Sequence, residues 1–503
     1  MHSGIIEVEE GAFSGCIQLQ NVICKAKNPP TIHSNSFTSA YPIQVEVPEA
    51  SLQKYQQADG WKDLMPSVYR DFNITVDTVR ALNAQYEKKA IVKAQSGMEW
   101  SVSYKPDWVT VTPSSGTGKV EVTISIDGLE KGLGNRADSI VIKPIEYDYN
   151  KVMYVEQYDC NYDDGAIITN QTATVGNGVN LVFMGDCFDA KDIADGYYKE
   201  IMDEAINHFF AIEPYTTYKE YFNVYTVVGH SPDSGLPMTY SVNQESRFES
   251  QFAYGDKGFQ FKFNSDKCFE YACNIPNITK ENFNKTLVVL IENSNVYGGI
   301  TKMWSDNSAI AVCPIIRNDY PFDFRGIIQH EAGGHGFGKL ADEYVYTGNF
   351  IDMCGCEEGH TQELNNGQSL GWYQNLSLKP NIYDVPWSHM IFDSQFSNYV
   401  DMYEGGFFHA RGVFRSEPNS CMNNNVPYYS AISRQEIVKR IMEYAGEEYT
   451  FEKFKSKDKS VMGPVTGGTS TFSTRSVPSS TNNAVNTSHN KPEIMGDKPM
   501  LNF

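Results

Sequence analysis

Hydrophobic and polar positions alternate most regularly between residues 70 and 158. NITVDTV, KAIVKAQ, MEWSVSY, WVTVTPSSG, KVEVTISI, DSIVIKP and KVMYVEQYD place apolar residues at every second position, and Gly, Pro, Asn, Asp and Ser separate them. That period is the period of a half-buried strand, and short strands at this spacing predict an antiparallel β-sandwich. The pattern then changes. VNLVFMGDCF (179–188), YFNVYTVVGH (221–230) and KTLVVLIENS (285–294) are rich in apolar residues, and are expected to be central strands. DIADGYYKEIMDEAINHFFAI (192–212) has helical apolar spacing, and FRGIIQHEAGGHGFGKLADEY (324–344) and SRQEIVKRIMEYAG (433–446) predict two more helices. Residues 456–503 are rich in Ser, Thr, Asn, Lys and Pro, have no period, and predict an extended or disordered tail.

The chain therefore reads as multidomain, with segments 1–68, 69–159, 160–455 and 456–503. The third is expected to be a mixed α/β catalytic domain. IIEVEEGAFSGCIQLQNV places Ile, Val, Phe, Cys and Leu at leucine-rich-repeat offsets, and SNSFTSAYPIQVEVPEASLQKYQQADGWKDL reads as a closing cap. Segment 1–68 resembles the bacterial surface-protein type of leucine-rich repeat. One or two repeats make no stable solenoid alone, so this remnant should lean on a neighbour. In segment 69–159, WSVS, PDWVTVTPSSG and the following VEVTI resemble the BACON domain, an immunoglobulin-like β-sandwich of secreted gut-bacterial proteins. That resemblance implies extracellular or periplasmic placement and glycan or mucin binding.

Charge narrows the partners. With 41 basic and 62 acidic residues the net charge is −21, which argues against a nucleic-acid partner. No apolar run approaches the ~18 residues of a membrane span. The acidic excess suits an extracellular protein; a structural Ca²⁺ site is compatible with it, but no EF-hand loop supports one. The ten Cys are scattered without a CxxC pair, so a zinc ribbon or thioredoxin motif is excluded. Cys268 and Cys273, expected on a short loop, are the easiest disulfide to form, whereas Cys354 and Cys356 are too close to bridge easily. Met1-His2-Ser3 leads directly into domain-like sequence, so we read a processed or trimmed form without its export signal.

The chemistry concentrates in IIQHEAGGHGFGKLADEY, residues 327–344. Two His one turn apart on a helix can share a Zn²⁺, and the Glu after the first then faces a metal-bound water. The usual spacing is HExxH. Here Ala332, Gly333 and Gly334 separate Glu331 from His335, one residue more. In a regular α-helix the two imidazoles would lie roughly 140° apart around the axis and could not share a metal. A π-type widening at Ala332–Gly334 would realign them, and adjacent Gly lowers its steric cost. The HExxGH motif of a dipeptidyl-peptidase family binds zinc with this expanded spacing, and HEAGGH fits it.

HEAGGHGFGKLADEY resembles the IgA-peptidase type of secreted bacterial zinc metallopeptidase, a metzincin-like zincin with the pattern HExGHxxGxLxDEY. EGGFFHARGVFRSEPNSCMNN and VYGGITKMWSDNSAIAV resemble that family's downstream and upstream blocks. This chain departs from the pattern by the extra residue between the His and by Asn423 in place of a second Met. The resemblance implies His330 and His335 as zinc ligands and Glu331 as general base. For the third ligand, Asp342 is the first candidate and Glu343 the alternative, with His360, His389 and His409 as distant ones. Met422 resembles the Met-turn beneath the metal. Ser308–Val312 is expected as the edge strand that pairs with an extended substrate, or as a plain core strand.

The function implied is a secreted or cell-surface zinc-dependent endopeptidase. Its substrate would be a protein or host glycoprotein, with Glu331 activating the zinc-bound water and one catalytic Zn²⁺ per chain. The competing expectation is a non-catalytic adhesion or glycan- and mucin-binding protein whose peptidase domain has degenerated.

Overall fold

The computed structural model describes residues 1–16, 19–37, 43–69, 72–145, 149–236, 245–255, 258–296, 298–345, 358–459 and 492–495. The chain is multidomain and rich in sheet. It separates into two compact units. One comprises Met1–Val79, Gln85–Asp127 and Ala137–Glu156; the other comprises Arg80–Ala84, Gly128–Arg136 and Gln157–Phe503.

The first unit begins with short parallel strands. Asn21–Ile23, Gln44–Pro48 and Ser67–Tyr69 form one ladder, and Glu7–Val8 pairs with Thr31–Ile32 in another. Val22, Val45 and Val47 are buried with Cys24, Tyr55 and Trp61. The two large rings also satisfy their polar ends: Tyr55 Oη donates to Ala26 O at 2.9 Å and Trp61 Nε1 to Pro30 O at 2.7 Å. Antiparallel sheets follow. Val109–Thr112, Val120–Ile126, Tyr86–Ala94 and Phe72–Ile74 form one sheet; Ser115–Thr117, Glu99–Tyr104 and Arg136–Pro144 belong to another. Alternation buries Val122, Ile124 and Ile126 on one strand, as its period of two requires.

The second unit is organised by a seven-stranded mixed sheet: β1 (Ile167–Gln171), β2 (Val179–Asp186), β3 (Phe222–Val227), β4 (Thr286–Glu292), β5 (Ile300–Met303), β6 (Ala309–Pro314) and β7 (Glu493–Ile494). Their order is β1-β3-β2-β4-β6-β5-β7. Strands β3, β2, β4 and β6 are mutually parallel; β1 and β5 run antiparallel to their neighbours β3 and β6. Every residue of β2, β4 and β6 is buried, which explains their dense apolar runs. Leu181, Phe183, Leu287, Val289 and Ala311 face one layer with α1 (Tyr197–Phe210) and Phe337. Val182, Met184, Val288, Leu290, Ile310 and Val312 face the other with Phe269 and Trp304.

Several expectations are corrected. Ser308–Val312 is no edge: β6 lies between β4 and β5, and the strand outside it is β5. The 192–212 helix is interrupted, because Gly196 adopts φ 87° between Ala190–Ala194 and α1. Cys268 and Cys273 lie on one helix, Ser265–Cys273, and are not bonded to each other. Cys354 and Cys356 fall outside the described residues, as does most of 456–503. The described end of that tail is β7, which pairs parallel with Lys302–Met303, and Met495 N donates to Met303 O at 2.7 Å. Pro492 is buried and Ile494 packs against the core. Among the described residues no helix is long and apolar enough to cross a membrane.

Candidate metal centre

The motif segment is not one α-helix. Asp323 caps a short helix α2 (Phe324–Ile327), its side chain accepting from Gly326 N at 2.8 Å. From Ile328 to Phe337 the chain is a π-helix, and all ten residues are buried. Its ladder joins residues five apart, which brings His330 and His335 to the same side one turn apart. The widening expected at Ala332–Gly334 therefore extends through the whole segment. The glycines have a packing role too. A Cβ at Gly334 would lie 2.2 Å from Met422 Sδ, and one at Gly333 2.4 Å from Tyr429 Oη. Tyr215 Oη donates to Gly333 O at 2.6 Å, and Tyr429 Oη donates to Gln329 O, so two buried phenols brace the carbonyls of the wide turn.

Three buried side chains converge. His330, His335 and Asp342 each offer a ligand atom within 4.8 Å of the others. The two imidazoles have centroids 4.8 Å apart. Asp342 Oδ1 lies 3.1 Å from His330 Nε2 and 3.3 Å from His335 Nε2. On the far side of each ring, His330 Nδ1 lies 3.1 Å from Cys421 O and His335 Nδ1 2.7 Å from Leu340 O. A carbonyl can only accept, so both Nδ1 atoms carry protons. In the neutral rings this leaves both Nε2 lone pairs facing Asp342, the arrangement by which carbonyls orient metal-ligating His. His335 Nε2 and Asp342 Oδ2 are buried without a hydrogen bond, so the group is incomplete by itself. Two imidazole nitrogens and one carboxylate oxygen suit a divalent metal such as zinc.

Charge follows from this packing. Burial works to lower the His335 imidazole, but the Asp342 carboxylate outweighs it and raises the ring to about 9. Burial works to raise Asp342, and the two His outweigh it, holding the carboxyl well below its ordinary range. Glu331 is pushed up, chiefly by burial, with the imidazoles and Thr301 opposing. Thr301 Oγ1 lies 2.8 Å from Glu331 Oε2 and 3.0 Å from Glu331 O. A Cβ at Gly299 would come within 2.6 Å of Glu331 Cγ. The start of β5 thus lies directly against Glu331.

Glu343, the alternative third ligand, turns elsewhere. It accepts from Ser420 Oγ at 2.6 Å and Asn375 Nδ2 at 2.9 Å, and its N–H donates to Met422 O at 2.9 Å. It ties the segment carrying Asp342 to the turn carrying Met422. The distant His do not join the group: His360 Nδ1 lies 2.9 Å from His409 Nε2, and His389 meets Gln435. Sequence reasoning missed Thr301 and Asn375. Asn375 Oδ1 accepts from Ala341 N at 2.9 Å and its Nδ2 donates to Ala341 O at 2.8 Å, clamping the backbone beside Asp342.

A buried His-His-Asp group beside a carboxylate, set against a mixed sheet, could hold a divalent metal. Residues 167–357 match the IgA Peptidase M64 family. No curated protein matches the chain. Solved structures give partial likenesses. A Bacteroides ovatus GH5 xyloglucanase is 14% identical over 22% of this chain and 26% of its own, with TM-score 0.17. A Porphyromonas gingivalis W83 protein is 13% identical over 23% and 59%, with TM-score 0.16. A Clostridium perfringens family 123 glycoside hydrolase is 11% identical over 47% and 48%, with TM-score 0.13. This chain spans less than two thirds of each of these three, and TM-scores this low carry no argument.

Proposed function

We propose that the chain is a secreted zinc-dependent endopeptidase acting on extracellular proteins or glycoproteins. The observation that carries the reading is the convergence of His330, His335 and Asp342 ligand atoms within 4.8 Å of one another, with Glu331 on the same π-helix as the two His. His330 Nε2, His335 Nε2 and an Asp342 oxygen would hold the ion. A zinc bound there supplies Lewis acidity and brings the pKa of a water from 15.7 to near 7. Glu331 takes the proton of the attacking water and returns it to the leaving amine. Thr301 restrains Glu331, and Met422 supports the helix at Gly334.

The parallel ladders of the first unit support a leucine-rich-repeat remnant, and its antiparallel sheets an immunoglobulin-like, BACON-type module. On this reading they bind glycan or mucin and hold the peptidase at its substrate.

A non-catalytic binding protein is the second reading. It draws on one observation: His330, Glu331, His335 and Asp342 are all fully buried, so a peptide reaches them only if their cover moves. Glu331→Gln separates the two. The peptidase reading expects metal and fold retained with hydrolysis of unfolded protein substrates lowered by about 10²–10⁴. Equal, negligible hydrolysis by both proteins with zinc bound would favour the binding protein.

A further inference from the structure

A second buried acidic group lies at the carboxyl ends of the central strands, apart from the His-His-Asp group. Asp186 ends β2, Glu292 ends β4, and the two are register partners on adjacent strands. Both are fully buried, and with Cys187 each offers a ligand atom within 4.8 Å of the others. Like charges directly opposite in a sheet repel, and burial removes the water that would screen them. Neither carboxylate has an ion-paired Lys, Arg or His among the described residues.

The hydrogen bonds decide which of the two needs a counter-charge. Asp186 accepts from Cys187 N (2.9 Å), Ser231 Oγ (2.8 Å), Ser246 Oγ (2.8 Å), Phe248 N (3.1 Å) and Ser250 N (3.4 Å). Five donors thus converge on the two Asp186 oxygens. Glu292 Oε1 accepts from Ser250 Oγ at 2.8 Å, but Oε2 is buried with no partner. A proton on Oε2 would need an acceptor, and Oε2 has no hydrogen-bond partner. A proton thus leaves the group unsatisfied, whereas a cation satisfies it. Burial, and then the Asp186 charge, push Glu292 far up when nothing neutralises the pair. The same signature, a buried carboxylate oxygen without a partner inside a cluster of ligand atoms, marks Asp342 in the other group.

We infer that Asp186 and Glu292 form a second metal site, for a hard divalent cation of the calcium type. Oxygen donors dominate it. Ser246 and Ser250 give their protons to the carboxylates and each keeps an oxygen lone pair for an ion, while Cys187 offers only one sulfur. Bound there, the ion joins the ends of β2 and β4 to the 246–250 turn. Its effect is on the stability of the second unit, with no part in peptide cleavage.

The test uses the full chain, stripped with chelator and reloaded with one equivalent of zinc. Calcium chloride alone is then added, and bound calcium and melting temperature are measured. The expected result is one calcium per chain and a rise of roughly 5 °C at 100-fold excess over Kd. Glu292→Gln copies the protonated acid in shape; it should keep one zinc and lose both the calcium and the rise. Glu292→Asp, with the carboxylate drawn back, should bind calcium more weakly. Wild-type protein that takes up no calcium and does not shift overturns the site. So does a Glu292→Gln variant that binds calcium as wild type does, or a wild type that takes no calcium but takes up a second zinc ion when excess zinc is offered.

Discussion

At the scale of single residues, the account depends on what each ring nitrogen and carboxylate oxygen touches. Thr301→Val removes the hydroxyl beside Glu331 at nearly constant volume. Losing a hydrogen bond to a charged group costs about 1.5–3 kcal/mol, so kcat should fall roughly 10–100-fold with zinc content unchanged, and Thr301→Ser should recover most of it. Steady-state kinetics with metal analysis checks this; equal kcat in the Val variant would remove Thr301 from the mechanism. The ligand candidates were legible because His330, Glu331, His335 and Asp342 lie within thirteen residues of one sequence segment. Thr301 and Asn375 were not. They lie 30 and 34 residues from the groups they hold, and Thr and Asn at such distances carry no local signature.

At the scale of elements, the motif helix is the informative case. An i, i+5 His pair requires a wider turn, and the Gly pair was legible as its means. The full π-helix was not, because it depends on Tyr215, Tyr429 and Met422 arriving from distant segments. Gly334→Ala would drive a methyl into Met422; overpacking of this kind costs about 1–3 kcal/mol, so thermal melting should begin lower and zinc should bind more weakly. Unchanged melting and affinity would show that Met422 yields freely. The sheet taught a different lesson. The apolar run 308–312 fits an edge strand and a central strand equally, and only the pairing of β6 on both sides decides. The outer edge beside Glu331 belongs to β5, part of which is taken by β7. Deleting residues 460–503 uncovers that edge and should raise kcat/KM for extended peptides; an unchanged value would mean that peptides do not pair there.

At the scale of the whole molecule, the alternating and continuous apolar patterns separated strand-rich segments from the mixed α/β segment, whereas the contact-defined units depend on long-range packing that no local pattern records. One buried acid gives the second unit a pH dependence. Burial outweighs Arg434, Tyr428 and Ala431 N and raises Glu417 to about 7. Between its ordinary 4.5 and about 7 the folded chain keeps a proton that the unfolded chain has released, so stability falls as pH rises through that window. The loss reaches about 3 kcal/mol, and Glu417→Gln should flatten it in denaturant titrations at pH 5 and pH 7. Equal pH slopes in both proteins would show that Glu417 is not the source. The central claim is that the π-helix gathers His330, His335 and Asp342 around one zinc. Anomalous diffraction at the zinc edge from crystals of the zinc-loaded chain tests it most directly. The account predicts a peak about 2.0–2.1 Å from both Nε2 atoms and 2.0–2.2 Å from an Asp342 oxygen, with residues 328–337 still π-helical. A peak bound by Glu343 or a distant His instead, or imidazoles pointing apart on a regular α-helix, would contradict it.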